Sequence, residues 1–216
     1  MNRRDFSLAA TAAGLAPWLA APAAHAQQAA FKAGADYLVL SRPAPVDAPA
    51  GKVEVVEFFS YNCPHCAEFE PMLEAWIPKL PPQAAFRRVP VPFVGNDVAT
   101  KQRLYYTLEA MGKVDAYQAK IFQIIHKDRQ PLNGDAAVLE WAAKQPDLGT
   151  KFAEVFKSFT VASKVKRATQ LTDDYKVSGV PAMGVAGRWY VDGETARSMP
   201  RVLQVVEFLV GEAPKA

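Results

Sequence analysis

The only two cysteines of this 216-residue chain are separated by two residues, in the sequence Cys63-Pro64-His65-Cys66. The apolar run Val53–Phe59 before them is typical of a buried strand, and the residues after them are typical of a helix. A Cys-x-x-Cys motif at a strand-to-helix junction predicts a dithiol that alternates with a disulfide.

The start of such a helix would stabilise one of the two sulfurs as an anion. Asn62 is a good N-cap residue, and Pro64 suits the first helical turn. Cys63 would then lie beside unpaired backbone N–H groups and the positive end of the helix dipole, which lowers its pKa. A protonated His65 adds positive charge nearby, and Cys66, one turn further, is the resolving thiol. Because a stabilised thiolate favours the reduced form, we predict an oxidising disulfide.

Two other uses of the cysteines are disfavoured. A disulfide across so short a loop constrains the unfolded chain little, so a purely structural bridge would stabilise the protein little. A zinc site takes about four nitrogen or sulfur ligands, and the chain adds only His25, His65 and His126 to the cysteines. His25 falls in a predicted leader, and His65, between the cysteines, can hardly bind a metal together with both. We therefore expect redox chemistry without a metal or a cofactor.

The segment Glu57–Cys66, with the sequence EFFSYNCPHC, resembles the DsbA family of periplasmic thiol oxidases. The resemblance covers nearly all of the chain after the leader and implies an α/β, thioredoxin-like fold with an inserted α-helical subdomain. It also implies an oxidase that donates the Cys63–Cys66 disulfide to unfolded exported proteins. A quinone-linked membrane oxidase of the DsbB type would then restore the disulfide, and we expect a monomer.

Glu57 is an acidic residue near the end of the predicted strand. It is either an edge carboxylate that reaches water or a buried acid with a raised pKa that takes a proton from Cys66. Its position matches the buried acid of thioredoxin-like proteins, which favours the second interpretation. Glu70 and Arg88 match charged positions that cluster with this acid in the DsbA family, but each suits a plain surface charge equally well.

A second functional stretch is predicted at Val177–Ala182. By itself it is a loop that enters a strand, and only about 5% of X-Pro bonds in folded proteins are cis. In thioredoxin-like proteins a proline at this place is cis and faces the cysteines, so the resemblance implies cis geometry for Val180–Pro181. The backbone of Val180 would then be free to pair with an extended substrate segment.

The chain divides into four predicted segments. Residues 1–26 form an export signal, 27–95 and 176–216 form the two parts of the thioredoxin-like domain, and 96–175 form the helical insert. Four helices are expected in the insert. The fourth begins near Phe152, and its apolar pattern allows it to continue through Val165 towards Leu171. We expect His126 to be an ordinary surface histidine.

The predicted export signal has the charged start, apolar stretch and A-x-A cleavage site of a cleaved leader. The apolar stretch is short and is broken by glycine and proline, which disfavours a membrane anchor. Arg3 and Arg4 also resemble a twin-arginine signal, so either export route is open. Both routes lead out of the cytoplasm, and the resemblance implies the periplasm, where disulfides persist.

Composition excludes some functions and leaves others open. The formal charge is 25 − 22 = +3, and the basic residues are scattered, so we expect no nucleic-acid partner.

A reductase or isomerase on the same fold is the main alternative. The Pro-His pair differs from the Gly-Pro pair of thioredoxin, which argues against a reductase, and we expect no dimerisation domain of the kind that isomerases usually add. A non-catalytic thiol-bearing binding protein is the remaining alternative.

Overall fold

One mixed β-sheet holds the Cys-x-x-Cys motif in the computed structural model, which describes residues 31–214. Its strands lie in the order β1-β5-β4-β2-β3. They are β1 (Leu38–Val39), β2 (Val53–Phe59), β3 (Ala84–Pro90), β4 (Ala182–Val185) and β5 (Trp189–Asp192). Only β2 and β3 pair in parallel among these strands; the other neighbours are antiparallel. The predicted export signal over residues 1–26 lies outside the described residues.

The described residues form seven α-helices and one short 3₁₀ turn at Ile77–Lys79. The helices are α1 (Pro64–Trp76), α2 (Val98–Ala110), α3 (Val114–His126), α4 (Gly134–Ala143), α5 (Gly149–Phe156), α6 (Phe159–Asp174) and α7 (Met199–Glu212). In sequence, α1 joins β2 to β3, and α7 follows the β4–β5 pair. Helices α2 to α6 all fall between β3 and β4. The predicted α/β fold with a helical insertion is therefore confirmed.

Strand β2 is covered on both faces, as its nearly continuous apolar sequence predicts. All seven of its residues are buried. Val53 and Val55 face a core that includes α7, whereas Val56 and Phe58 face the core shared with the inserted helices. Each fully buried aliphatic or aromatic side chain contributes about 1.5–3 kcal/mol to the stability of the folded state. This burial therefore fixes the end of β2, where the motif begins.

The predicted fourth helix of the insert does not run on through Leu171; it is two helices, α5 and α6. The helical conformation is interrupted at Ser158, whose backbone is extended (φ −71°, ψ 151°). Its side chain caps α6 by accepting the backbone N–H of Val161. Serine is a preferred N-cap because its hydroxyl satisfies an N–H that the first helical turn leaves free. The continuous apolar pattern from Phe152 onwards concealed this cap.

Tyr175, the residue that ends α6, holds the chain where it returns to the sheet. Its hydroxyl accepts the backbone N–H of Gly187 at 3.0 Å. Its ring lies so close over Gly184 in β4 that a Cβ at that glycine would overlap it. Between the strands, Ala186 (φ 52°) and Gly187 (φ 65°) form a two-residue hairpin turn. Among residues 31–214, no helix is both long enough and apolar enough to cross a membrane.

Candidate active site

The two predicted functional stretches, 117 residues apart in sequence, meet at Cys63. Cys63 is 5% exposed, and its sulfur lies 3.4 Å from the carbonyl oxygen of Val180. The Val180–Pro181 peptide bond is cis. Cys66 lies in the first turn of α1 and is fully buried, and both cysteines are free thiols in this structure. Only Cys63 is therefore in a position to meet another sulfur from outside.

Asn62 does not cap helix α1, contrary to the sequence prediction. Cys63 is the N-cap residue (φ −90°, ψ 115°) and Pro64 is the first helical residue. The side-chain amide of Asn62 instead donates to the carbonyls of Val94, at 3.1 Å, and Asn96, at 2.8 Å. A loop distant in sequence therefore satisfies this side chain, and the sulfur itself occupies the cap position.

The surroundings of the two thiols shift their pKa values in opposite directions. The Cys66 thiol donates to the Cys63 sulfur, and this bond is the main reason that the pKa of Cys63 falls to about 6. The backbone N–H groups of Cys66 and His65 and the charge of His65 also lower it, against the effect of burial. Burial, followed by the neighbouring Cys63, raises the pKa of Cys66 far above its usual range. At neutral pH the pair therefore holds an anion at Cys63 and a proton at Cys66.

The predicted charge of His65 is the smallest of these influences. Its ring is largely exposed, with a side-chain accessibility of 78%, and Nδ1 lies 3.2 Å from Oε2 of the equally exposed Glu68. Water and this carboxylate both screen an imidazolium charge at such a position. The backbone N–H of His65 acts on the Cys63 sulfur more strongly than its ring does.

Beneath the motif, Glu57, Glu70 and Arg88 form a buried charge cluster. The parallel pairing of β2 and β3 sets Arg88 directly opposite Glu57. Arg88 Nε donates to Glu57 Oε2 at 3.0 Å, and its Nη2 donates to Glu70 Oε1, on α1, at 2.6 Å. All three residues are buried. The edge position considered for Glu57 and the surface positions considered for Glu70 and Arg88 are therefore wrong.

The buried charge cluster contains two carboxyl groups and one guanidinium. Burial raises the pKa of Glu57 to about 8 and that of Glu70 to about 7, although the charge of Arg88 opposes both shifts. Glu57 Oε1 and Glu70 Oε2 have no hydrogen-bond partner within residues 31–214. One cation can neutralise only one carboxylate, so the other retains a proton near neutral pH. The charge of Glu57 also contributes to the raised pKa of Cys66, so the two groups interact.

Sequence reasoning missed the link between His126 and the motif. His126 is half-buried, and its Nε2 lies 2.9 Å from the backbone oxygen of Tyr61, so it is not an ordinary surface histidine. The two residues are 65 positions apart, and only the four-residue spacing of Gln118, Phe122 and His126 could have indicated that they share a helix face. Across the described part of the chain, no group of three His, Cys, Asp or Glu residues is arranged to hold a metal ion.

A dithiol at the start of a helix, with a cis-proline loop against its first sulfur and a mixed sheet beneath, defines a thioredoxin-like thiol:disulfide oxidoreductase. Residues 54–204 match the DSBA-like thioredoxin domain, and the chain belongs to this family. The predicted resemblance and the predicted enzyme class are thereby confirmed.

Relatives and solved structures agree over most of the chain. The thiol:disulfide interchange protein DsbA of Burkholderia cepacia is 41% identical over 192 residues, which is 89% of this chain and 90% of that protein. DsbA of Bordetella parapertussis is 40% identical over 209 residues and 96% of both chains. The crystal structure of Pseudomonas aeruginosa DsbA superposes with a TM-score of 0.77 at 35% identity, covering 84% of this chain and 94% of that one.

Proposed function

We propose that the protein acts as an oxidase that transfers its Cys63–Cys66 disulfide to other proteins. The observation that supports this direction is the lowered pKa of Cys63, about 6, beside the raised pKa of Cys66. Stabilisation of the Cys63 thiolate favours the dithiol over the disulfide, and the disulfide is a correspondingly stronger oxidant. Each unit of this pKa change corresponds to about 1.4 kcal/mol.

In the first step, a substrate thiolate attacks the Cys63 sulfur of the disulfide. The Cys63–Cys66 bond breaks, a mixed disulfide forms between the substrate and Cys63, and Cys66 leaves as a thiolate. A second substrate thiolate then attacks the substrate sulfur of the mixed disulfide, and Cys63 leaves as the stabilised thiolate. Two electrons have passed from the substrate dithiol to the protein, and the substrate has gained one disulfide.

Glu57 is proposed to supply the proton that the departing Cys66 thiolate takes up. A carboxyl whose pKa is raised to about 8 is largely protonated at neutral pH, and it interacts with Cys66. Proton transfer by a positioned side chain is effective when its pKa is near the working pH. In the reverse direction the Glu57 carboxylate would accept the Cys66 proton.

Val180 and Pro181 are proposed to hold the substrate beside Cys63. The carbonyl of Val180 lies within 3.4 Å of the Cys63 sulfur. An extended substrate segment that pairs with the Val180 backbone would bring its own sulfur to the same place, and main-chain pairing imposes little sequence preference. Pro64 fixes the first residue of α1, and with it the position of the cap sulfur.

We propose the periplasm as the site of action, after removal of residues 1–26 as an export signal. The proposed substrates are unfolded, freshly exported chains, and the proposed partner for reoxidation is a quinone-linked membrane oxidase of the DsbB type. The family to which the chain belongs and the leader-like sequence support this setting. Residues 96–175 are proposed as the helical insert between the two parts of the thioredoxin-like domain, and the protein is proposed to act as a monomer.

Disulfide transfer to a reduced, unfolded protein tests the direction of the reaction. One equivalent of the oxidised protein should form about one disulfide in reduced ribonuclease, and the Cys66→Ser variant should form none. The same preparation should be a poor catalyst of insulin reduction by dithiothreitol. Efficient insulin reduction without disulfide transfer would indicate a reductase instead, and no turnover in either assay would exclude the enzyme.

A further inference from the structure

Helix α3 contacts Tyr61, two residues before Cys63, through three side chains on one helix face. Gln118, Phe122 and His126 are spaced four residues apart, so they lie along one side of α3. Gln118 Oε1 accepts the Tyr61 hydroxyl at 2.6 Å, and the ring of Phe122 lies 5.3 Å from that of Tyr61. His126 Nε2 is 2.9 Å from the Tyr61 carbonyl oxygen. Because a carbonyl only accepts, His126 is the donor.

The carbonyl that His126 binds belongs to the central peptide of the active-site turn, residues Ser60 to Cys63. The N–H of Cys63 donates to the carbonyl of Ser60 at 3.0 Å and closes this turn. The central peptide joins Tyr61 to Asn62, and its N–H donates to Ser60 Oγ at 3.2 Å. Both polar groups of the central peptide are therefore bound, the N–H within the turn and the carbonyl by α3.

A four-residue turn has an alternative conformation in which the central peptide is rotated by roughly 180°. The rotated form requires a positive φ at the third residue, here Asn62, and asparagine tolerates a positive φ better than most residues do. Asn62 is not among the described residues with positive φ, so the turn has the unrotated form. The bond from His126 opposes the rotation, which would reverse the dipole of the Tyr61–Asn62 peptide.

We infer that His126 is a positioning residue for thiol exchange. It holds the Tyr61 carbonyl in place, and thereby fixes the turn that presents the Cys63 sulfur at the start of α1. It acts through the backbone, and within residues 31–214 its ring has no hydrogen bond to either sulfur. The inference rests on the proposed function, in which Cys63 is the sulfur that the substrate attacks. If His126 only attached α3 to the sheet, its loss would lower stability and leave the thiol chemistry unchanged.

The His126→Ala variant tests this role through two properties of the dithiol. Its equilibrium with glutathione should shift towards the disulfide by about threefold to tenfold, the effect of one hydrogen bond. The pKa of Cys63, from the ultraviolet absorbance of the thiolate, should rise in parallel. The His126→Gln variant keeps an N–H donor and should return the equilibrium to within about twofold of the wild type.

The Phe122→Leu variant is the matched control, since it weakens the packing of α3 on Tyr61 and leaves the His126 bond in place. It should lower the free energy of unfolding while its glutathione equilibrium stays within about twofold of the wild type. A wild-type equilibrium in His126→Ala, or an equal shift in Phe122→Leu, would overturn the role of His126. A wild-type dithiol no more oxidising than ordinary thiols would instead contradict the proposed function, so the two failures are distinguishable.

Discussion

The same two strands, β2 and β3, carry a Glu–Arg pair with a buried carboxyl group on each face of the sheet, and the two pairs differ in the groups that surround them. Glu54 pairs with Arg87 on one face, and Glu57 pairs with Arg88 on the other, because residues three apart in a strand point to opposite faces. Glu54 is 1% exposed and Glu57 is fully buried. Burial is thus almost the same for the two carboxyl groups.

The number of hydrogen-bond donors is what distinguishes them. Glu54 has a guanidinium to itself: Arg87 donates to both of its oxygens, at 2.8 and 3.3 Å, and the backbone N–H of Asp47 donates to Oε1 at 2.8 Å. Glu57 shares Arg88 with Glu70, and its Oε1 has no partner within the described residues. A buried carboxyl group therefore keeps its proton at neutral pH where, as at Glu57 and Glu70, two carboxyl groups share one guanidinium.

The largest expected effect is a difference in stability between two identical substitutions. In Glu54→Gln, an NH₂ group replaces one of the two oxygens that accept from Arg87 and Asp47, so at least one of these donors loses its acceptor. The substitution should lower the free energy of unfolding by about 2–3 kcal/mol at pH 7. Glu57→Gln replaces an acid that is already largely protonated with a neutral group of the same shape, and should be at least as stable as the wild type. Urea unfolding of the reduced proteins measures both, and equal losses would remove the distinction.

The rate of disulfide transfer should distinguish the same two variants in the reverse order: Glu57→Gln loses rate but not stability, and Glu54→Gln loses stability but not rate. Without the Glu57 proton, water must protonate the departing Cys66, and we expect disulfide transfer to a dithiol peptide to slow about tenfold at pH 7. Glu54→Gln should stay within about twofold of the wild type, because Glu54 lies on the other face of β2. Acid-quenched samples separated by chromatography give the rates. A Glu57→Gln variant as fast as the wild type would show that water alone suffices.

The change expected over a single pH unit is the smallest of the three: a pH dependence of stability that belongs to Glu57. Its pKa is about 8 in the folded protein and about 4.3 in an unfolded chain, so the unfolded state releases this proton first as the pH rises. The stability that Glu57 contributes is complete below the unfolded value and declines towards pH 8. The advantage of Glu57→Gln over the wild type should therefore grow by about 1 kcal/mol per pH unit between pH 5 and 8. Urea unfolding at half-unit steps measures it, and a constant difference would contradict the raised pKa.

Features set by local sequence were predictable. The apolar run of β2, the motif at the start of α1 and the β4–β5 hairpin each depend on neighbouring residues, and the structure has all three. The resemblance of the motif region was sufficient to indicate the family, because its unusual residues lie together. Glu57 was also predictable as a candidate by local contrast, as an acid within a largely apolar strand.

Contacts between distant segments account for what the sequence did not predict. Arg88 reaches Glu57 only because β2 and β3 pair in parallel in one register, and single-sequence patterns do not give a register. Asn62 has the right type and place for an N-cap, but a loop more than thirty residues away takes its amide. His126 has no local sign of function, since its partner is a backbone carbonyl that every residue carries.

The anchoring of Tyr175 over Gly184, with its hydroxyl on the N–H of Gly187, has a consequence for engineering. These contacts tie the chain to the β4–β5 hairpin just before it reaches Val180, and none of them uses a side chain from α2 to α5. Foreign helices could therefore be spliced in upstream, provided that the two ends of the block have the same separation and that Tyr175 and the α3 contacts with Tyr61 are retained. Such a chimaera would carry a different helical surface while keeping the Val180 carbonyl against Cys63.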